Sequence, residues 1–265
     1  MKFWYTLYLL LSLMNIQLIP TLGFLLLVAL GGYVVYLVGF FLIKGKLPPS
    51  RILNPYAFLK FKLLQLWHAY NMREALHGDA ESQFQVAWNY AKGIGVAEDR
   101  VEAFKWYRKS AENGYVEAVH NLGYCYEHAF GCMRNLENAL KCFVHAGEKG
   151  YLLSIVSAGY YYQNGLGCKK NGLEGFNWYM KGAELNDAEC QYRVAWSYEQ
   201  GIGVQQDPTK AFEWYLKAAH NKHYQATMNL ARCYENAFGC ERNIIKTKIW
   251  YLVAEKLKLK EGKGN

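Results

Sequence analysis

The stretch Tyr198–Val204, YEQGIGV, recurs in four further versions: YAKGIGV from Tyr90, YEHAFGC from Tyr126, YQNGLGC from Tyr162 and YENAFGC from Tyr234. The closing glycines Gly95, Gly131, Gly167, Gly203 and Gly239 fall 36 residues apart with no insertion. A fixed period of this length restricts the chain to a stacked array, in which each unit buries its apolar face against its neighbours.

Each unit reads as two helices. In the opening copy the first runs from about Asp79 to Ala91, with Ser82, Val86, Ala87 and Tyr90 on one face. The third of these positions is small throughout (Ala87, Gly123, Gly159, Ala195, Ala231), which lets a paired helix approach closely. The turn glycine follows, where φ > 0 is wanted and glycine accepts it without a steric penalty. A second helix then starts at Asp99, Asn135, Asn171, Asp207 or Asn243, all residues that cap free N–H groups, and Pro208 follows its cap. Its core is Phe104, Leu140, Phe176 and Phe212 with the pairs Trp106-Tyr107, Cys142-Phe143, Trp178-Tyr179, Trp214-Tyr215 and Trp250-Tyr251.

The stretch DAESQFQVAWNYAKGIGVAEDRVEAFKWYRKSAENGY, Asp79–Tyr115, resembles a Sel-one-like repeat (SLR), a relative of the tetratricopeptide repeat. The resemblance covers five units, 79–114, 115–150, 151–186, 187–222 and 223–258, with a tail over 259–265. It implies an all-α fold, a right-handed superhelix of antiparallel helix pairs that serves as a protein-interaction scaffold in bacteria. It implies no catalysis and no cofactor. The fifth unit departs from the pattern, with Thr247 and Lys248 in place of the small-aromatic pair, which suits an outward-facing end whose tail frays.

Ahead of the array, residues 1–46 are a membrane segment by composition. No charge occurs between Lys2 and Lys44, and 41 residues of helix would be about 60 Å long, twice the hydrocarbon thickness. Asn15, Gln17 and Pro20 interrupt the run, so a transmembrane hairpin of spans at about 3–18 and 22–43 is expected. A signal peptide before a single span, or a first segment lying at the interface, are the alternatives. Residues 1–78 hold seven Lys/Arg and one Glu, which is +6 of the chain's net charge of +8. Five of these cations lie between Lys44 and Lys62, and positive flanks stay cytoplasmic. Contact with the bilayer is therefore assigned to residues 3–43, and the repeats to the cytoplasmic side of a bacterial inner membrane. Residues 47–78 form a linker, LPPSR, and a basic helix from Asn54-Pro55 to about Ala75. That helix either caps the first repeat or lies on anionic lipid.

The units carry no Lys/Arg stripe of the kind phosphate binding needs, which excludes a nucleic-acid surface. Seven cysteines, an odd number, fit free thiols in a reducing compartment. The spacing of Cys125 and Cys132, copied by Cys233 and Cys240, leaves two bridges open, and with them periplasmic repeats acting in secretion or cell-wall processes. Cys125, His128, Cys132, Cys142 and His145 lack the paired short spacings of a zinc site, and no nucleophile constellation or phosphate loop stands out. A hydrolase of the type attributed to secreted relatives of the family is the further alternative, and no nucleophile constellation supports it; neither an enzyme nor a metal protein is expected.

The face of the first helix not used for packing remains. Carried through the period, its rows read Phe84, His120, Val156, Tyr192, Met228, then Trp88, Tyr124, Tyr160, Trp196, Arg232, and lastly Ala91, Glu127, Gln163, Glu199, Glu235. In tetratricopeptide-like superhelices this face lines the concave groove. An aromatic ladder edged by glutamates suits a peptide or helix of another protein with apolar anchors and basic residues; the alternative is that these aromatics pack between neighbouring repeats.

Overall fold

The computed structural model describes residues 55–261, so the expected spans at 3–18 and 22–43, Asn54 and the last four residues lie outside the described part. These residues form eleven α-helices and, among themselves, no strand. Helix α1 is Pro55–Leu76; the pairs that follow are α2 (Ala80–Lys92) with α3 (Arg100–Glu112), α4 (Val116–His128) with α5 (Leu136–Glu148), and α6 (Leu152–Asn164) with α7 (Gly172–Glu184). Helices α8 (Ala188–Gln200) with α9 (Pro208–His220) and α10 (Tyr224–Asn236) with α11 (Ile244–Glu261) complete the array. Each helix packs on the one before and the one after it, which makes the molecule a solenoid. No helix among the described residues is long and apolar enough to cross a membrane.

The caps stand where Asp and Asn predict them. Asp99 accepts from the N–H groups of Val101 and Glu102, and Asn135, Asn171, Asp207 and Asn243 each accept from the N–H three residues on. Small residues do close the helix pairs: a Cβ on Gly123 would meet the Phe143 ring at 2.7 Å, and one on Gly159 the Tyr179 ring at 2.6 Å.

The two glycine positions of the turn have different jobs. The first is the αL residue that ends the first helix, and Ala129 and Ala237 occupy it at φ 54° and 56°. The second, at φ 66–73° in all five copies, is pressed onto the preceding second helix. A Cβ there would run into the carbonyl of Leu64, Arg100, Leu136, Gly172 or Pro208. The 36-residue glycine is thus an inter-unit contact as well as a turn, which is why only this one is invariant across the copies.

Leu64 belongs to α1 and lies 36 residues before Arg100, so α1 continues the register of the second helices. Its His68 ring meets Tyr90 edge-on at 5.2 Å, as Phe104 meets Tyr126 at 5.4 Å and Phe212 meets Tyr234 at 5.3 Å. Gln83 Nε2 also donates to the Ala75 carbonyl. Helix α1 therefore covers the first unit as a preceding second helix would. At the other end, α11 runs to Glu261, into the stretch expected to fray.

Candidate protein-binding face

The expected ladder rows differ in exposure and in what they touch. In the second row Trp88, Tyr124 and Tyr160 keep 40%, 48% and 47% of their surface exposed; Trp196 is half-buried and Arg232 exposed. Lys92 lies over the Trp88 ring at 5.1 Å, and His128 packs on Tyr124 at 4.3 Å. These rings rest on their own helix and leave a face open.

The first row is not a free ladder. Phe84 packs between Tyr107 and Tyr115, His120 between Phe143 and Tyr151, and Tyr192 between Tyr215 and His223. All three are half-buried, as are Val156 and Met228. Each ring lies one turn nearer to the next unit than the second row, so inter-unit packing claims it. His120 Nδ1 also pairs with Ser154 Oγ at 2.8 Å, and burial holds its imidazole below its ordinary pKa.

The third row ties the two helices of a unit together. Glu199 accepts from the Tyr215 hydroxyl, and Glu235 from the Tyr251 hydroxyl at 2.8 Å. Burial first, then the carboxylate, raises both phenols above their ordinary range. Glu127 is half-buried beside His128, and Ala91 is half-buried. In the third unit Gln163 takes the place of glutamate; it is buried, and neither its Nε2 nor the Tyr179 hydroxyl has a hydrogen-bond partner.

Residues one and two turns before the ladder share its face, and the sequence reading passed over them. They include Glu81, Glu117, Glu189 and Arg193; stepping back by three and seven from the second row is the signal that finds them. The face then carries Glu81, Glu117, Glu127, Glu189, Glu199 and Glu235 against Lys92, Arg193 and Arg232. Its fourth unit is the most ordered electrostatically. Arg193 binds Glu189 at 2.6 Å, and His223 of the next unit reaches the same carboxylate at 2.8 Å. With His223 Nδ1 accepting from the Ala226 N–H, Nε2 is the donor to Glu189. Hydrogen bonding from His223, helped by Arg193 against the cost of burial, lowers the Glu189 pKa. A shallow cleft lined by Glu199, Asn229, Arg232, Cys233, Asn236 and Phe238 lies between the fourth and fifth units.

Five consecutive segments, 80–115, 116–151, 153–187, 188–223 and 225–258, match the family described as Sel1 repeat. The chain belongs to the Sel1 repeat family. A Sel1 repeat protein from Oxalobacter formigenes is similar at 29% identity and a TM-score of 0.68, over 75% of this chain and 84% of that one. The c5321 protein, a protective antigen present in uropathogenic Escherichia coli strains and displaying an SLR fold, matches at 24% identity and a TM-score of 0.67. That likeness is one of fold; it covers 82% of this chain and 52% of that one, so the present chain spans about half its length. No curated protein sequence matches the chain.

The Sel1 units hold their seven cysteines as free thiols. The Cys125–Cys132 spacing is used otherwise than in a bridge: Cys132 Sγ donates to the Cys125 carbonyl at 3.4 Å. Burial pushes the Cys142 thiol up to about 11 and those of Cys125 and Cys233 up to about 12, so all three stay protonated at neutral pH. Among the described residues no group of three or more His, Cys, Asp or Glu is placed to hold a metal.

Proposed function

We propose that this protein is a membrane-tethered, non-catalytic scaffold whose first-helix face captures a peptide or helix from another protein. Sel1 repeat proteins generally mediate protein–protein interaction, and the proposal places that activity on Trp88, Tyr124, Tyr160 and Trp196. One observation carries it: tyrosine and tryptophan stay open on consecutive first helices, while most aromatics of the second helices are buried. Aromatic anchors on a rigid surface are the residues that dominate binding energy, and the surrounding glutamates favour a partner with basic residues between its apolar ones.

The tether is residues 3–43, and the cytoplasmic side is favoured by the cations from Lys44 to Lys62. A phosphatase active only in the periplasm and, separately, a green fluorescent protein fused after Asn265 test the side. A bright fluorophore with an inactive phosphatase is expected; the reverse places the repeats outside the cytoplasm. For the binding face, a photo-crosslinking residue at Tyr124 is compared with one at Lys141, which is exposed on α5. A discrete crosslinked partner from position 124 alone supports the face, and equal or absent crosslinking at both positions rejects it.

A further inference from the structure

The last helix breaks the rules that the other second helices keep. Ile245, Ile249, Leu252 and Leu259 of α11 are all more than half exposed. They follow one another at helical spacing and make a ridge of about 20 Å opposite the packed residues Thr247 and Ala254. The position of Ile249 is Lys105, Lys141, Asn177 and Glu213 in the earlier units, polar in every one. That of Lys256 is Glu112, Glu148, Glu184 and His220. Ile245 has apolar counterparts in Val101 and Leu173, and Leu252 in Val144, Met180 and Leu216, so what this face gains is Ile249, together with lysine in place of glutamate.

Nor is it shaped to receive another unit. Phe104, Phe176 and Phe212 seat their rings on Tyr126, Tyr198 and Tyr234 of the following unit, and at this position α11 has Lys248. A second copy stacked end to end would bring Lys248 and Lys256 towards α1, whose own charges are Lys60, Lys62 and Arg73 against Glu74. Two α11 helices face to face would oppose the same lysines. Both arrangements pair like charges.

We propose that this face of α11 docks on the surface of an anionic lipid bilayer. A convex aliphatic ridge flanked by lysines is what an interfacial helix presents: the side chains of Ile249 and Leu252 enter the headgroup boundary while Lys248 and Lys256 reach lipid phosphates. Glu255, exposed beside Lys248, is the one carboxylate on that flank among the residues whose side chains are described. A protein partner would need a groove to accept the ridge, whereas a bilayer needs none. Insertion of residues 3–43 would bring positions 249 and 213 to a vesicle alike, so the difference between the two reports contact at α11 itself.

The test uses the full chain with an environment-sensitive fluorescent residue at position 249, and in a second sample at position 213, its counterpart on α9. Each is mixed with vesicles of brominated phosphatidylcholine, with or without phosphatidylglycerol. Quenching several-fold stronger at 249 than at 213, present only with phosphatidylglycerol and abolished by K248E/K256E, is the expected result. An unchanged helical melt of that variant confirms that its fold is intact. Equal quenching at the two positions overturns the proposal, as does quenching indifferent to lipid charge. So does a blue shift at 249 in vesicle-free detergent solution, whether it grows with protein concentration, which assigns the face to a second copy, or needs added acidic proteins.

Discussion

Tyr124 and Tyr179 are the same side chain on neighbouring kinds of helix, and they meet opposite fates. Tyr124, on a first helix, is 48% exposed; Tyr179, on a second, is fully buried with its ring against Gly159. Tyr107, Phe143 and Tyr215 are buried like Tyr179, and Trp88 and Tyr160 are open like Tyr124. An aromatic residue repeated every 36 residues marks the unit, then, without saying which side of it faces the core. The small residue opposite decides that. Where Gly123 or Gly159 leaves room, the ring of the second helix fills it.

The largest expected effect is at the buried end of this contrast. Tyr179→Ala should destabilise residues 55–261 by about 3–5 kcal/mol, read by denaturant unfolding. The adjacent tryptophans grade downwards. Trp178 is nearly buried, with Lys181 over its ring at 5.0 Å, whereas Trp214 is only half-buried under Lys217 at 3.8 Å. Trp214→Ala should cost less than Trp178→Ala, and an inverted order would break the assignment of depth by row.

Next come the glycines, which sharpen the contrast from the backbone side. Gly167→Ala places a methyl group inside the Leu136 carbonyl at positive φ, so about 3 kcal/mol or more should be lost. Gly201→Ala keeps positive φ but has no neighbour nearer than 3.6 Å, and the cost should stay at about 1–2 kcal/mol. Equal melting temperatures of the two variants would remove the inter-unit contact from the explanation.

Much of this was legible in the sequence because one period carried it. Helix pairs, Asp/Asn caps, small packing positions and the strained glycine each occur five times, so a single unit's ambiguity is resolved by the others. The misread parts are those that the period cannot separate. Phe84, His120 and Tyr192 repeat as faithfully as Tyr124, yet they lie one turn over and are claimed by Tyr115, Tyr151 and His223 of the next unit. The register of α1 escaped notice because Leu64, His68 and Asn71 do not resemble Arg100, Phe104 and Tyr107; the backbone contact to Gly95 reveals it. The same reasoning missed the carboxylate of Glu189, whose partners Arg193 and His223 come from two units.

His120 lies between the two extremes, half-buried at a unit boundary, and it makes the comparison sensitive to acid. Its folded pKa is below the ordinary 6.5, so the unfolded chain takes up the proton first as pH falls through that value. The stability it gives is complete above about 6.5 and declines until the lower folded pKa is reached. Glu189 adds a second loss further down: its carboxylate contribution is present above the ordinary 4.5 and disappears as pH falls through the depressed folded value. The melting temperature should therefore drop between pH 7 and 5.5, and drop less in His120→Phe. His68, also lowered by burial, contributes to the same fall and leaves a residual slope. An identical slope in the variant would show that His120 is not held neutral by its neighbours Phe143, Tyr151 and Ser154.

The smallest effect on stability is expected where the effect on binding is largest. Tyr124 and Tyr160 rest on the solvent side of α4 and α6, so Tyr124→Ala and Tyr160→Ala remove little buried surface. Exposed substitutions away from special backbone features usually change stability by no more than about 0.5 kcal/mol, and the melting curves should overlay the parent's. At an interface the same truncations remove anchors worth about 2 kcal/mol or more, roughly a thirtyfold loss of affinity. Trp196, half-buried, should move both readouts and is the weaker discriminator. The measurement is a titration of the partner found by crosslinking at position 124 against the parent and the two alanine variants, beside their thermal melts. If Tyr124→Ala unfolds the array, the second row is inter-unit packing like the first. If affinity is unchanged in both variants while the melts overlay, the open rings are not the binding site, and the cleft lined by Glu199 and Arg232 becomes the next place to truncate.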